Sequence, residues 1–241
     1  MEAGILRNIG ISIAKGKYVG FLDADDYYPN KNSLKKLFYL AEKHQTEITG
    51  GSLYTFDNST GKINFFINGQ YFTNESFLNY RKYQFDGGFY RFIFKRDFLI
   101  KKNIYFPDLK RMQDPVFFMN AMLAAKKVFV IPDYVYAYRK NHKEIVWTND
   151  LIFDKIAAIS LILQKSRKEK LSHLHFLMAK NLLMFTYHHL HSMRDFKNQC
   201  ILFWTAYRKI DFNLLSHDWP EDRINALRLK LFGAFLKSLI Y

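Results

Sequence analysis

The feature that most constrains the fold of this 241-residue chain is a short apolar run ending in a dense group of carboxylates. Residues 18–22 have the length of a buried strand, and they lead directly into Asp23-Ala24-Asp25-Asp26. Helix-like patterns flank the run, with isoleucine at every fourth position over residues 5–13 and an amphipathic pattern over residues 33–44. Helix, strand and helix in succession predict an α/β fold, and in such folds ligand sites lie at the carboxyl ends of the strands.

Two interpretations of the acidic cluster remain open at this point. Three carboxylates within four residues repel one another unless a cation neutralises them, and such oxygen-rich groups suit Mg²⁺ or Mn²⁺, which also bind diphosphate oxygens. Aspartate is, however, also common in ordinary turns. An EF-hand is excluded, because the position that would require glycine is Tyr28.

The remaining pattern divides the chain into a mixed region, residues 1–149, and a helical region, residues 150–241. In the first region we predict strands at 48–56, 62–72, 90–95, 128–131 and 134–138, and helices at 96–102 and 114–125. In the second we predict helices at 151–168, 171–193, 195–209 and 219–240. The last is amphipathic, which suits either packing on the protein or contact with a membrane surface.

Further candidate residues lie in the later part of the first region. Asp114 precedes Pro115, which is typical of a helix N-cap, but a carboxylate there is also a candidate general base. Residues 136–142 alternate aromatic side chains and end in basic ones. They are either a strand with a solvated end, or a place where Arg139 contacts phosphate and His142 binds a metal.

Composition narrows the classes of function. Lys and Arg number 36 and Asp and Glu 22, so the net charge of +14 suggests a polyanionic partner such as nucleic acid, an anionic membrane surface or a phosphorylated substrate. The single cysteine, Cys200, excludes a disulfide framework and a cysteine-based zinc site, and it suits the cytosol. No stretch of the sequence has the length and apolarity of a membrane span, and residues 1–10 lack the features of a signal peptide.

Taken in order, these segments resemble a known family. Residues 4–11 and 14–26, which end in the D-x-D of Asp23 and Asp25, are similar to the second half of a family 2 glycosyltransferase domain of GT-A fold. Residues 94–99 and 104–107 resemble the segment before that family's Glu-Asp motif, and residues 136–139 resemble its closing strand. Asp114 falls at the aspartate of the motif, with Gln113 in place of the usual glutamate. The resemblance covers roughly residues 3–145.

The resemblance implies an α/β fold, a partial GT-A mixed sheet with flanking helices, followed by an α-helical region. It also implies inverting transfer of a sugar from a nucleotide-sugar donor. Asp25 would hold a divalent cation, Mn²⁺ or Mg²⁺, against the diphosphate, with His142 as a further metal contact. Asp114 would deprotonate the acceptor hydroxyl. The remaining donor-site candidates are Asp23, beside the ribose or sugar, together with Arg7, Asn8 and Arg139.

Three hypotheses for the whole chain follow. The first is a glycosyltransferase, or its carboxy-terminal part, building a bacterial surface polysaccharide or lipo-oligosaccharide on a saccharide or lipid-linked acceptor. It would be cytoplasmic, either free or peripheral at the inner face of the cell membrane. The second is a truncated, inactive remnant, because the elements that open the family's domain have no counterpart here and their absence would leave a sheet edge uncovered. The third, a nucleic-acid binder, is disfavoured because no recognition motif accompanies the charge.

Overall fold

The computed structural model describes residues 2–67, 69–142, 146–189 and 196–215, with the single positions 225, 226, 229 and 233. Its contacts divide the chain into two compact units. The first comprises residues 1–108 and 113–146, and the second comprises residues 109–112 and 147–241. The contacts therefore assign to the second unit a short segment, 109–112, that the sequence pattern did not separate from its neighbours.

The first unit is a mixed sheet with helices on both faces. Its helices are α1 (Ala3–Ile13), α2 (Ser33–His44), α3 (Tyr80–Tyr83), α4 (Arg96–Lys101) and α5 (Gln113–Ala124). Its strands are β1 (Tyr18–Gly20), β2 (Ile48–Asp57), β3 (Ile63–Asn64), β4 (Ser76–Phe77), β5 (Phe92–Lys95) and β6 (Val128–Lys140).

The strand order is β1-β5-β2-β6-β4, with β3 paired to β2. Among the described strands, only the central pair, β2 and β6, is parallel, and the other pairs are antiparallel. β2 lies very close to β5 at Gly50. A Cβ on Gly50 would lie 2.1 Å from the Phe92 ring, so only glycine fits there. The mixed α/β class predicted from the sequence is confirmed, and β1 with its acidic loop lies at one edge of the sheet.

Each face of the sheet has its own apolar core. On one face, the buried side of α2 (Leu37, Leu40 and Ala41) packs with residues of β5 and β6. On the other face lies an aromatic cluster built around the stacked rings of Phe106 and Phe117, whose centroids are 3.9 Å apart. Phe21, directly after β1, joins this second core and is 7% exposed. Burial of Phe21 fixes the point at which the acidic loop leaves the sheet.

Several strand and helix predictions needed correction. The strand predicted at 62–72 is only Ile63–Asn64. Further along the segment, the carbonyls of Gly69 and Gln70 accept hydrogen bonds from the buried Arg91 side chain, and the Gln70 carbonyl also accepts from the Leu53 N–H of β2. The strands predicted at 128–131 and 134–138 form the single strand β6, because register shifts opposite residues 50–53 absorb the irregularity. Asp114 is not the N-cap of α5, since the helix already begins at Gln113.

The second unit is helical, as predicted. It contains α6 (Asn149–Glu169), α7 (Ser172–His189), α8 (Phe196–Tyr207) and α9 (Phe212–Leu215). Thr148 caps α6 by accepting a hydrogen bond from the Leu151 N–H at 3.4 Å. Of the helix predicted at 219–240, positions 225, 226, 229 and 233 are helical, and the rest lies outside the described residues. Among the described residues, no helix combines the length and apolarity that crossing a membrane requires.

Candidate active site

The end of β1 brings the first two predicted donor-site residues together. Arg7, on α1, lies with its guanidinium carbon 5.0 Å from the Phe89 ring centroid and 5.5 Å from that of Phe106. Its Nη2 donates to Asp23 Oδ1 at 2.5 Å, and both side chains are partly buried. Aromatic packing therefore fixes the Arg7 guanidinium, and the ion pair fixes Asp23 in turn.

Asn8 has a different environment from Arg7. Its Nδ2 donates to the Phe106 carbonyl at 2.9 Å, and its Oδ1 accepts from the Phe106 N–H at 2.8 Å. Both ends of the amide therefore join α1 to the segment before α5. These bonds give Asn8 a structural role, and its contact with a donor stays a prediction.

Asp25 and His142 meet although 117 positions separate them in the chain. His142 Nε2 lies 2.7 Å from Asp25 Oδ2, and both side chains are partly buried. The other ring nitrogen, Nδ1, is buried and has no hydrogen-bond partner. The structure thus brings together the two predicted metal ligands, but within the described residues no group of three or more His, Cys, Asp or Glu side chains could hold a metal ion.

Asp26 anchors the acidic loop, a role that the sequence did not reveal. Its Oδ2 accepts from the Tyr136 hydroxyl and its Oδ1 from the Arg139 N–H, each at 2.8 Å. The same Tyr136 hydroxyl accepts from the Asp23 N–H at 3.3 Å. Burial raises the pKa of Asp26, while these two donors oppose the rise. A backbone bridge between Tyr27 and Ala137 completes the attachment to β6.

Arg139 lies at the site, but its side chain is directed elsewhere. Its Nη1 donates to Asn58 Oδ1 at 3.4 Å, and its buried Nε has no partner. Only its backbone N–H contacts the acidic loop, through Asp26. The predicted contact between the Arg139 guanidinium and phosphate therefore stays a prediction.

Asp114 lies in the first turn of α5 and is the most perturbed carboxyl of the site. Burial raises its pKa to about 6. The negative charges of Asp23 and Asp86 add to the rise, while its own N–H and the positive charge of Arg7 oppose it. No hydrogen bond from another side chain to Asp114 is present among the described residues. A carboxyl that is desolvated, unpaired and tuned near neutrality has the properties of a general base.

Three tyrosines line the same region. Tyr90 lies parallel to Tyr136 and Tyr138, with ring centroids 4.4 and 5.5 Å away. The negative charge of Asp114 contributes to the raised pKa of both Tyr90 and Tyr138, which links the stack electrostatically to the candidate base. The two-residue spacing of Tyr136 and Tyr138 on a strand places them on one face, but only the structure reveals Tyr90 beside them.

Part of the chain is similar to known proteins. Residues 3–101 match the family model described as glycosyl transferase family 2. The glycosyltransferase GlyG of Streptococcus pneumoniae serotype 4 is 27% identical over 162 residues, which cover 61% of this chain and 54% of that protein. The poly(ribitol-phosphate) beta-glucosyltransferase of Bacillus spizizenii is 36% identical over 137 residues, covering 56% of this chain and 21% of that protein.

A solved structure shares the fold. The S. aureus TarS fragment 1–349 in complex with UDP-GlcNAc matches with a TM-score of 0.71 at 20% identity, covering 98% of this chain and 70% of that one. Residues 3–101 are therefore similar to family 2 glycosyltransferases, and the chain shares the fold of the TarS fragment. The chain spans about half the length of GlyG and about a fifth of the Bacillus enzyme.

Proposed function

We propose that this chain transfers a sugar from a nucleotide-sugar donor to an acceptor hydroxyl, with inversion at the anomeric carbon. The observation that carries the proposal is the unpaired carboxyl of Asp114, whose pKa of about 6 is influenced by the charges of Arg7 and Asp23. The Asp25–His142 pair lies in the same unit. The similarity to a structure in complex with UDP-GlcNAc supports a uridine diphosphate sugar as donor.

In the proposed reaction, Asp114 accepts the proton of the acceptor hydroxyl as the oxygen attacks the anomeric carbon. The new carbon–oxygen bond forms while the bond to the donor diphosphate breaks, so the nucleoside diphosphate departs with the bonding electrons. A base is most effective when its pKa lies near the working pH, and burial of Asp114 supplies this. Arg7 holds Asp23 in one orientation for contact with the donor.

The residues present fit a divalent cation shared with the donor. Mg²⁺ and Mn²⁺ are commonly bound through one or two protein groups plus substrate phosphates and water. Asp25 and His142 offer two such groups, and the buried Nδ1 of the imidazole has no hydrogen-bond partner. Such a cation would neutralise negative charge on the leaving diphosphate.

The proposed acceptor is a bacterial surface polymer, reached as a saccharide or as a lipid-linked chain. Two relatives named as poly(ribitol-phosphate) transferases support an acceptor of this kind. The net charge of +14 suits an anionic polymer and also peripheral contact with the inner face of the cell membrane. We accordingly propose a cytoplasmic site of action.

A second candidate function is that of an inactive partner or remnant with an incomplete donor site. The observation that favours it is the edge strand β1, which is paired only with β5 among the described residues. Around this edge, α1 and α2 expose apolar side chains that ordinarily would be covered: Leu6 52%, Ile9 43%, Ile13 71%, Leu34 42% and Phe38 49%. A further polypeptide segment laid on this edge would complete the sheet.

One calorimetric experiment separates the two candidates. UDP-GlcNAc is titrated into the chain with Mn²⁺ and with a chelator, and the titration is repeated with Asp25→Ala. An active donor site predicts Mn²⁺-dependent binding that Asp25→Ala abolishes. Asp133→Asn, which removes an exposed carboxylate paired with Lys36, serves as the matched control and should bind normally. No binding by the parent chain would contradict the enzyme proposal and favour the incomplete site.

A further inference from the structure

The second unit contains a cluster of cations around an aromatic side chain, apart from the residues proposed to bind the donor. Trp147, directly before α6, carries two cations against its ring: the Arg111 guanidinium carbon lies 5.5 Å and the Lys155 Nζ 5.1 Å from its centroid. Lys155 Nζ also lies 4.2 Å from the ring centroid of the buried Phe185. Aromatic faces therefore hold both cations in defined positions.

Neither cation is neutralised by a carboxylate among the described residues, although two carboxylates lie nearby. Asp150 pairs with Lys110 Nζ at 2.5 Å, and Asp154 accepts the Lys110 N–H at 2.6 Å. Lys110 thus forms an ion pair with Asp150 only and holds Asp154 through its backbone, and no described carboxylate forms an ion pair with Arg111 or Lys155. Side chains of this kind usually extend into water, but both of these are half-buried.

The uncompensated charges repel each other. Burial, and then the positive charge of Arg111, lowers the pKa of Lys155. This arrangement is unfavourable for the free protein, and a bound oxyanion would relieve it by neutralising both cations. A guanidinium also offers a planar pair of donors that matches phosphate, while an ammonium acts as a point charge.

We propose that Arg111, Lys155 and Trp147 form a binding site for a phosphate group of an anionic, phosphodiester-linked polyol or saccharide acceptor. The site rests on the proposed function, because the acceptor is what a glycosyltransferase must bind besides its donor.

A polymer phosphate fits this site better than a membrane surface does. Membrane contact depends on exposed basic side chains that enter the headgroup layer, whereas these two cations are withdrawn against aromatic rings. A discrete phosphate flanked by a polyol or sugar can reach a withdrawn pair of cations, and the carbohydrate part has apolar C–H faces that suit an aromatic ring.

The test is a calorimetric titration of the full chain with a short ribitol-phosphate oligomer, over a series of salt concentrations. The parent should bind, and the logarithm of its affinity should fall linearly with the logarithm of the salt concentration. Lys155→Met and Arg111→Gln should each weaken binding by about tenfold or more and make the salt dependence shallower, by about one charge. Lys155→Arg, which keeps the charge and the aromatic contact, should restore binding.

The control is Lys168→Met, which removes the same charge from an exposed position on the same helix. Equal loss in Lys168→Met and Lys155→Met would overturn the proposal, because it would show non-specific attraction to net charge. Binding of a neutral glucan oligomer as tightly as the ribitol-phosphate oligomer would also overturn it. The proposal would also be overturned if Lys155→Met weakened binding to vesicles of anionic phospholipid but left binding to the oligomer unchanged.

UDP-GlcNAc binding, measured on the same samples, separates this proposal from the enzyme proposal. If the chain binds UDP-GlcNAc, and if oligomer binding is the same in Lys155→Met, Arg111→Gln and the parent, only the acceptor-site proposal is refuted. If the parent chain does not bind UDP-GlcNAc, the enzyme proposal is contradicted, regardless of the result for oligomer binding.

Discussion

Asp114 in the first unit and His175 in the second are both ionisable side chains largely withdrawn from water, and both are driven towards their neutral forms. Burial raises the pKa of Asp114 to about 6 and lowers that of His175 to about 4. Their hydrogen bonding differs. His175 Nδ1 lies 2.8 Å from Ser166 Oγ, and its Nε2 accepts the Asp211 N–H at 2.8 Å. Asp114 has no such side-chain partner among the described residues.

The difference separates a structural group from a reactive one. Since Nε2 of His175 accepts a hydrogen bond, Nδ1 carries the proton and donates to Ser166, which itself donates to the Leu163 carbonyl at 3.1 Å. Every polar atom of the ring is satisfied, so burial costs little and nothing remains to bind a substrate. The oxygens of Asp114 remain available for a proton. A perturbed pKa marks function only where hydrogen bonding leaves the group unsatisfied.

The largest effect that would test this contrast is on catalysis. Asp114→Asn keeps the shape of the side chain but cannot accept a proton, so sugar transfer should fall by about 10²–10⁴-fold, the usual contribution of a general base. Donor affinity should be unchanged, because Asp25 and His142 are untouched. Initial rates with UDP-GlcNAc and a ribitol-phosphate acceptor provide the measurement. The parent rate should also decline below about pH 6, the pKa of Asp114. Activity retained in Asp114→Asn would refute the assignment.

The same substitution should stabilise the fold. The pKa of Asp114 is raised in the folded state, so folding is penalised increasingly as pH rises from about 4 to about 6, and the penalty is complete above that range. A shift of about two units corresponds to about 3 kcal/mol, which is the upper limit of the expected gain at pH 7.5. Denaturant unfolding of Asp114→Asn and the parent at pH 7.5 and pH 4 measures it. A gain of equal size at both pH values would mean that burial of charge is not its cause.

For His175 the expected dependence on pH has the opposite direction. Its folded-state pKa lies below the ordinary value, so its contribution to stability is intact above about pH 6.5 and is lost as pH falls towards 4. The full loss corresponds to about 3 kcal/mol. Unfolding of the parent and His175→Gln at pH 7 and pH 4.5 isolates this contribution as the difference between the two proteins. His173→Gln, on the same helix, should follow the parent; if it behaves like His175→Gln, the assignment to His175 is wrong.

The local parts of this arrangement could be predicted from sequence, and the long-range parts could not. The apolar run before Asp23 and the bounds of α2 follow from periodicity within a few residues, and the structure confirms both. The 62–72 segment is a strand only at Ile63–Asn64, and two of its later carbonyls bind the side chain of Arg91, some twenty positions away. Asp26 looked like one more member of an acidic turn, because its partner Tyr136 lies 110 positions further along the chain. Residue type reveals a carboxylate, whereas its role depends on partners that the fold supplies.

Asp26 refines the contrast, because it is a partnered carboxyl within the same unit as Asp114. Tyr136→Phe removes the donor to Asp26 and the acceptor for the Asp23 N–H, so it should lower the free energy of unfolding by about 2 kcal/mol, the usual effect of removing a partly buried hydrogen bond to a charged group. Because Asp26 holds the loop that carries Asp23 and Asp25, donor affinity should weaken as well. Tyr134→Phe, which removes an exposed hydroxyl on the same strand, should change neither quantity appreciably. Denaturant unfolding and donor titration of both variants give the comparison. If Tyr136→Phe and Tyr134→Phe have the same effect on the free energy of unfolding and on donor affinity, the Tyr136 hydroxyl does not position the acidic loop.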